Sequence, residues 1–312
     1  MSKGSAFMPT RLAGLLLLIL LARCGAEPEI NCDLTKVAEM PLQVQDRLLV
    51  VPVGINGKWA HLVADTGAER TMLTGAAAQR LGLPLDSKMN NRQANGIGGS
   101  TSTADVPIDR LVLGGVHFPV NQIAVSSFKL QLRQGFVPDG LLGSDILLAF
   151  DMDIDVPGGN LTLYRSRVCP NARPPWPFPA AEIIGVRIRK DRLLLPFELD
   201  NVAGLGVLDT GAQGNVLGVD MARRMGLDEQ AMANDRVVHQ HGVGPGETQS
   251  RLHHFQLLRI GPVVEVQPAI TVLPSDFGVG DALIGETFLQ GRRVWMSFRN
   301  RQVFVSKRPG EL

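Results

Sequence analysis

The tetrapeptide Asp-Thr-Gly-Ala occurs twice in this chain, at residues 65–68 and at residues 209–212, and each copy follows an apolar run. The two copies are 144 residues apart, and the same offset places Pro52 on Pro196 without a gap. Self-similarity at a fixed offset indicates a duplicated structural unit. We therefore expect two related domains, and 312 residues are enough for each domain to bury its own core.

Each half is predicted to be mainly β with one short helix. Residues 48–64 form two β-rich runs joined at Asn56-Gly57, a pair that readily takes the positive φ angles of a tight hairpin turn. The second half contains a counterpart of this pattern. Behind each tetrapeptide, a single short helix is expected to end at Gly82 or at Gly226.

A proline-rich stretch divides the halves. Five prolines fall within ten positions in residues 170–179, and proline fixes φ and removes a backbone donor, so we expect an extended, stiff connector. The predicted organisation is a signal peptide at 1–26, an N-terminal segment at 27–47, a first lobe at 48–168, a linker at 169–185 and a second lobe at 186–308.

The N-terminal residues are typical of an export signal. Lys3 and Arg11 precede the apolar run at residues 12–22, which is too short for a membrane span of roughly 20 residues. Cleavage after Ala26 is favoured, and lipidation of Cys24 or retention as an uncleaved anchor are the alternatives. The expected location is periplasmic or secreted, with membrane attachment only through a lipidated Cys24.

Two cysteines, Cys32 and Cys169, remain after the leader. An even pair in an oxidising compartment favours a disulfide between them, tying the N-terminal segment to the end of the first lobe. The alternative is two unrelated buried cysteines.

Charge and histidine content exclude other classes of function. The chain has 31 basic and 30 acidic residues, so no strong field attracts nucleic acid. The histidines at 239, 241, 253 and 254 lack a recognisable metal-ligand spacing, and exposed strand histidines are the expected reading. Neither a metal nor another cofactor is predicted.

The repeated aspartates, Asp65 and Asp209, are the strongest candidates for chemistry. A single Asp-Thr-Gly is compatible with an ordinary turn, but two copies at equivalent places in duplicated domains favour a shared site. If the lobes pack about an approximate twofold axis, the two carboxyls meet and share one proton. One can then act as a base on water and the other as an acid toward a peptide carbonyl.

The residues next to each aspartate have physical roles as well. Gly67 and Gly211 have no Cβ and allow close approach of backbone and substrate. Thr66 and Thr210 can each donate a hydroxyl hydrogen bond across the axis to the opposite loop.

These motifs resemble the retropepsin-like aspartic proteases, particularly the cellular and bacterial members. The resemblance rests on the two Asp-Thr-Gly-Ala copies, on the later apolar-apolar-glycine segments and on the glycine-rich segment between them, over residues 48–167 and 186–308. It implies two pseudo-twofold-related β-barrel lobes with the active site in the cleft between them. It also implies roles for particular residues: catalysis by Asp65 and Asp209, loop support by Thr66, Gly67, Ala68, Thr210, Gly211 and Ala212, and further support by Leu141-Leu142-Gly143 and Leu283-Ile284-Gly285.

The resemblance further implies two hairpin flaps that close over a peptide. The candidate flap and substrate-binding residues are Gly96, Ile97, Gly98 and Gly99 in the first half, and Gly242, Val243 and Gly244 in the second. Ordinary glycine-rich loops are the alternative. Pro245 stiffens the second segment, so the two are expected to be unequal.

The sequence also departs from the family pattern. An ion pair expected in viral members between the aspartate loop and the residue after the later glycine is missing, because Ser144 and Glu286 occupy those positions. The only tyrosine, Tyr164, lies outside the flap candidates.

An exported, monomeric aspartic endopeptidase acting on a peptide or protein substrate is the favoured function. A peptide-binding or regulatory module without catalysis, and a protease active only as a homodimer, are the alternatives.

Overall fold

The fold follows from a computed structural model, which describes Met1 and residues 34–85, 91–128, 135–165 and 172–307. The described residues from 34 onward belong to one compact unit. The cysteines of the predicted disulfide, Cys32 and Cys169, and the predicted leader after Met1 lie outside the described residues. In the described part of the chain, no helix combines the length and apolar character that a membrane crossing requires.

The first half is built from short strands and two helices. In chain order these elements are β1 (Thr35–Pro41), β2 (Gln43–Gln45), β3 (Leu48–Ile55), β4 (Lys58–Ala64), β5 (Met72–Thr74), α1 (Gly75–Leu81), β6 (Asn91–Gly96), β7 (Gly99–Pro107), β8 (Leu111–Leu113), β9 (Val116–Phe118), β10 (Gln122–Ser126), β11 (Gly140–Leu142), α2 (Ser144–Leu147), β12 (Asp151–Asp155) and β13 (Asn160–Arg165).

The second half repeats this series. Its elements are β14 (Ala181–Glu182), β15 (Arg187–Arg189), β16 (Arg192–Leu199), β17 (Val202–Leu208), β18 (Val216–Leu217), α3 (Val219–Arg224), β19 (Arg236–Gln240), β20 (Thr248–His254), β21 (Leu257–Ile260), β22 (Val263–Val266), β23 (Ala269–Val272), β24 (Ala282–Ile284), α4 (Glu286–Leu289), β25 (Arg293–Ser297) and β26 (Gln302–Val305).

The two halves have the same sheet topology. Each lobe contains a ten-stranded sheet, with the order β6-β7-β10-β5-β11-β4-β3-β8-β9 in the first lobe and β19-β20-β23-β18-β24-β17-β16-β21-β22 in the second. The tenth strand of each sheet stands outside this order: β2 pairs with β3 in the first lobe, and β15 pairs with β16 in the second. The predicted fold class, two β lobes related by duplication, is confirmed.

The predicted hairpin and helix ends are present. Asn56 and Gly57 have φ angles of 49° and 81°, so they form the tight turn between β3 and β4. Helix α1 begins after Thr74, whose hydroxyl accepts a hydrogen bond from the Ala77 N–H, and ends at Gly82 with φ of 76°.

The prediction of one helix in each lobe is wrong, because each lobe contains a second helix. Helices α2 and α4 have four residues each and begin directly after Gly143 and Gly285. A single turn is too short to show a helical period in the sequence.

A third sheet joins the halves. Its six strands follow the order β1-β13-β12-β25-β26-β14, so that it takes strands from the N-terminal segment, from the end of each half and from the linker. Strand β12 of the first half pairs with β25 of the second over five residue pairs, from Asp151–Ser297 to Asp155–Arg293. The described end of the proline-rich linker therefore belongs to this sheet through β14, and it does not run free between the lobes.

A buried ion pair crosses this sheet. The Arg293 guanidinium donates to both carboxylate oxygens of Asp153 at 2.8 and 2.7 Å, and the indole N–H of Trp176 lies 3.1 Å from the same carboxylate. Asp153 is 1% exposed. These contacts compensate its negative charge, and they hold the linker residue Trp176 against the sheet.

Replacement of Arg293 tests this bridge. We expect Arg293→Met to lower the free energy of unfolding by about 3 kcal/mol, because it leaves a buried carboxylate without its cation. The matched control is Arg259→Met, which removes an exposed arginine 4.0 Å from Glu198 and should change stability by under about 0.5 kcal/mol. Urea unfolding measures both, and equal effects would contradict the bridge.

Candidate active site

The two aspartates lie where a central strand of each lobe ends. Asp65 follows β4 and Asp209 follows β17. Each backbone N–H donates to a neighbouring parallel strand, Asp65 to the Leu142 carbonyl and Asp209 to the Ile284 carbonyl, both at 2.9 Å. The strands β11 and β24, which contain the apolar-apolar pairs singled out in the sequence, therefore fix where the aspartate loops begin.

The threonines next to the aspartates lock the two loops together. The Thr66 hydroxyl donates across the lobe boundary to the Leu208 carbonyl at 2.7 Å, and the Thr210 hydroxyl donates to the Ala64 carbonyl at 2.6 Å. The same hydroxyls accept hydrogen bonds from the Thr210 and Thr66 backbone N–H groups, at 3.1 and 3.0 Å. Both threonines are almost completely buried, at 2% and 1% exposure, so loss of one hydroxyl would leave buried groups without partners.

The glycines bring the loops close enough for the carboxyls to touch. A Cβ at Gly67 would overlap the Asp209 carboxylate, and a Cβ at Gly211 would overlap the Asp65 carboxylate. The Gly67 and Ala68 N–H groups donate to Asp65 Oδ1 at 2.9 Å, and the Gly211 N–H donates to Asp209 Oδ1 at the same distance. No larger residue than glycine fits at either position while the carboxyls keep this arrangement.

The two carboxyls perturb each other. Burial, and then the neighbouring Asp209 carboxylate, raise the pKa of Asp65 from 3.8 to about 8, although backbone N–H groups oppose the rise. Burial also raises the pKa of Asp209, while hydrogen bonds from Gly211 and Asp65 and the positive charge of Arg192 act in the opposite direction. The pair therefore holds a proton at pH values where an ordinary aspartate has lost it.

The glycines of the apolar-apolar-glycine segments pack directly under the loops. A Cβ at Gly143 would overlap the backbone of Arg70 and Thr71, and a Cβ at Gly285 would overlap the Ala212 and Gly214 carbonyls. The residues after them continue the contact, because the Ser144 N–H donates to Ala68 O. In the second lobe, the Glu286 N–H donates to Ala212 O in the same way.

Different contacts stand in place of the missing family ion pair. Arg70 pairs with Asp105 on β7, while Thr71 donates from its hydroxyl to Asp145 at 2.7 Å. Glu69 lies 3.6 Å from Arg192 of the other lobe. The sequence shows that the family pair is absent but does not reveal these replacements, because Asp105, Asp145 and Arg192 are all far from the aspartate loop along the chain.

The glycine-rich segments form the tips of two hairpins. Strands β6 and β7 pair from Asn91–Ala104 up to Gly96–Gly99, with Ile97 and Gly98 at the tip. Strands β19 and β20 pair from Arg236–Leu252 up to Gln240–Thr248 and leave residues 241–247 as a longer tip. The tip of the second hairpin is therefore longer than the tip of the first.

The hairpin tips contact each other and each reaches the opposite lobe. The Gly246 N–H donates to Gly98 O at 2.9 Å, and the Thr248 hydroxyl donates to Ile97 O at 2.7 Å. Ile97 packs against the apolar cluster of the second lobe, as Ala212 does, whereas Val243 packs against the cluster of the first lobe, as Ala68 does. The tips and the aspartate loops therefore touch the same two apolar clusters.

The histidines of the second hairpin surround a carboxylate. His239 Nδ1 lies 3.0 Å from Glu247 Oε1, and His241 Nε2 lies 3.6 Å from Glu247 Oε2. All three side chains are more than half exposed. Over the described ranges, no group of three or more histidine, cysteine or acidic side chains is arranged to hold a metal ion.

Comparison with known proteins agrees with this geometry. A family model described as "Aspartyl protease" matches residues 51–146, and one described as "gag-polyprotein putative aspartyl protease" matches residues 197–291. The solved structure of an aspartic proteinase from Irpex lacteus is similar, with a TM-score of 0.52 and 14% sequence identity, over 88% of this chain and 98% of that chain. A search of curated proteins gave no match.

The fold, the paired aspartate loops and both family models define an aspartic-type endopeptidase, an enzyme that hydrolyses peptide bonds. The chain belongs to the retropepsin-like aspartic proteases and contains the two lobes in a single polypeptide. The resemblance inferred from the sequence is confirmed.

The raised pKa of Asp65 predicts a pH dependence of stability. An unfolded aspartate loses its proton near pH 4, whereas the folded pair keeps one until about pH 8, so the folded state binds more protons in between. The stabilisation is complete below pH 4 and is lost as pH rises through about 8.

Asp65→Asn should therefore remove part of the fall in unfolding free energy between pH 4 and pH 8. The matched control is Asp220→Asn, which replaces an exposed carboxylate and should keep the slope of the original protein. Urea unfolding at several pH values measures the slopes, and an unchanged slope in Asp65→Asn would contradict the shared proton.

Proposed function

We propose that this protein is an exported aspartic endopeptidase in which Asp65 and Asp209 together activate the water that attacks a peptide bond. The observation that carries the proposal is the contact between the two carboxyls, each of which is covered by the glycine of the opposite loop. Two carboxyls in contact share a proton, so that one is a base and the other an acid at the same pH.

The reaction requires no covalent intermediate with the enzyme. A water between the carboxyls gives a proton to the ionised aspartate as its oxygen attacks the peptide carbonyl. The protonated aspartate donates its proton to the carbonyl oxygen, so a neutral diol forms and the pair again has one proton. The hydrogen bonds of Thr66 and Thr210 support this step because they hold both loops in fixed positions.

We propose that a peptide substrate binds between the aspartate loops and the hairpin tips. An extended peptide can add to these strands through main-chain hydrogen bonds, a common mode of peptide recognition. The two tips contact each other above the apolar clusters that flank Ala68 and Ala212. We infer that the hairpins are flaps, which separate to admit the peptide and then exclude water.

A single chain is sufficient for the proposed site. Thr66 and Thr210 belong to the same polypeptide and are joined by direct hydrogen bonds. The shared sheet pairs β12 with β25, again within one chain. These contacts support a monomer with two lobes over an enzyme that needs a second copy.

Export is supported by the N-terminal sequence. The run at residues 12–22 follows Lys3 and Arg11, as in a secretory signal. We propose cleavage near Ala26 and release into the periplasm or medium. The mass of the mature N-terminus tests this and separates simple cleavage from lipidation of Cys24.

Substitution of either aspartate tests the shared mechanism. We expect Asp65→Asn and Asp209→Asn each to lower kcat/KM at least about 1000-fold, because neither remaining carboxyl can act as both acid and base. Digestion of a peptide library, followed by rates on one cleaved peptide, measures the loss. Asp220→Asn is the matched control, and full activity in either active-site variant would refute the mechanism.

Two glycines at the tips provide a test of the flaps. A Cβ at Gly98 would lie 2.7 Å from the Gly246 carbonyl oxygen, whereas a Cβ at Gly246 would lie 3.3 Å from the Gly98 carbonyl oxygen. Gly98→Ala must separate the tips, and we expect a loss of kcat/KM of about tenfold.

The control, Gly246→Ala, requires only a small adjustment and should stay within about twofold of the original protein. Steady-state kinetics on the same peptide compares them. Equal rates in both variants would mean that closure of the tips has no part in catalysis.

A further inference from the structure

The two aspartates differ in the residue that faces each of them from the neighbouring strand. The antiparallel pairing of β3 with β4 ends at Val50–Val63, and the pairing of β16 with β17 ends at Leu194–Val207. If each register continues by two residues, Leu48 comes opposite Asp65 and Arg192 comes opposite Asp209. The duplicated halves therefore have a hydrocarbon side chain at one of these two equivalent strand positions and a cation at the other.

Arg192 is buried at this position. Only 9% of the residue is exposed, and its Nη1 group donates to the Asp191 carbonyl at 3.2 Å. Its Nη2 atom lies 3.6 Å from Glu69 Oε1 of the opposite loop, but the Glu69 side chain is 85% exposed. Water screens an exposed carboxylate strongly, so Glu69 compensates the guanidinium charge only in part.

Leu48 lies in different surroundings. It belongs to the apolar cluster of the first lobe with Val50, Val63 and Met72, against which Val243 of the second hairpin packs. The residue that corresponds to Glu69 in the second lobe is Gln213, whose side-chain amide donates to the Asp46 carbonyl at 2.8 Å. The first lobe thus supplies no cation equivalent to Arg192 at the strand position facing its aspartate.

We propose that Arg192 is a positioning residue that keeps the negative charge of the aspartate pair on Asp209 and the shared proton on Asp65. The inference deepens the proposed function and rests on the shared-proton mechanism. A buried cation stabilises the ionised form of the nearer carboxyl, because little water lies between the charges to screen them.

The directions in which the surroundings move the two pKa values agree with this assignment. Burial raises the pKa of both aspartates, but Arg192 lowers the pKa of Asp209 and is absent among the main causes for Asp65. Among the described residues, the charged groups named in these main causes are the partner carboxyl and Arg192, and Glu69 in turn pairs with Arg192.

The assignment gives the reaction a direction. Water oxygen forms a bond to the peptide carbonyl carbon while one water proton moves to the Asp209 carboxylate. The Asp65 proton moves to the carbonyl oxygen, and the carbonyl double bond becomes a single bond. The product is a neutral diol, with the proton now on Asp209 and the charge on Asp65, so charge and protons balance.

Arg192→Leu tests the inference, since it gives the second lobe the residue type of the first. Loss of the cation raises the pKa of Asp209, so the acid limb of the kcat/KM profile should move up by about one pH unit. Arg192→Lys keeps a positive charge and should restore most of the original profile. Carboxyl-carbon NMR of aspartate-labelled protein should show the same shift without relying on turnover.

Glu69→Gln distinguishes the effect of the Arg192 charge from the effect of its ion pair with Glu69. This substitution removes the ion pair between the lobes, so less of the Arg192 positive charge is compensated and Asp209 is more strongly stabilised as a carboxylate. The acid limb should therefore move slightly toward lower pH, whereas in Arg192→Leu it moves toward higher pH. If the acid limb of the kcat/KM profile of Arg192→Leu lies within about 0.2 pH units of that of the original protein, the inference is wrong. So would a shift of the same sign in both variants, because it would assign the effect to the lost ion pair.

The two proposals fail in different ways. If either aspartate-to-asparagine variant retains full activity, the shared mechanism itself is wrong. If those variants are inactive while Arg192→Leu keeps the original pH profile and the original carboxyl titration, only the role of Arg192 is refuted.

Discussion

The contact between the Asp65 and Asp209 carboxyls is unfavourable when both are ionised, and much of the surrounding architecture serves to maintain it. Each threonine hydroxyl donates a hydrogen bond to a carbonyl of the opposite lobe and accepts a hydrogen bond from a backbone N–H of the opposite loop. Since these groups are buried, separation of the loops would leave several polar atoms without partners. The cost of separation offsets the repulsion between the carboxyls.

Duplication makes such a site possible, but it does not make its two sides equal. The sheets have the same strand order, and the aspartate loops have the same hydrogen bonds to β11 and β24. The differences lie at the edges of the site, where Leu48 corresponds to Arg192 and a short hairpin tip corresponds to a long one. A single chain can vary its halves separately, whereas identical subunits cannot.

The sequence predicts the parts of the structure that depend on local signals. Asn56-Gly57 marks a turn, Gly82 marks a helix end, and the repeat identifies the aspartates. Helix α2 was missed because a four-residue helix has no visible period. The shared sheet was missed because β12 and β25 are far apart in sequence, and register between distant strands depends on packing of the whole domain. The difference between Leu48 and Arg192 could have been found, since the 144-residue offset aligns them.

The shared sheet also gives the covalent link between the lobes a role of its own. Strand β12 pairs with β25 in the middle of this sheet, and β1 and β14 are its two outermost strands. A half expressed alone would therefore expose an unpaired strand edge, a template for aggregation. Two separately made halves would each expose this edge until they met, whereas in a single chain the covering strand is always present at high effective concentration, so the covalent link itself protects the edge.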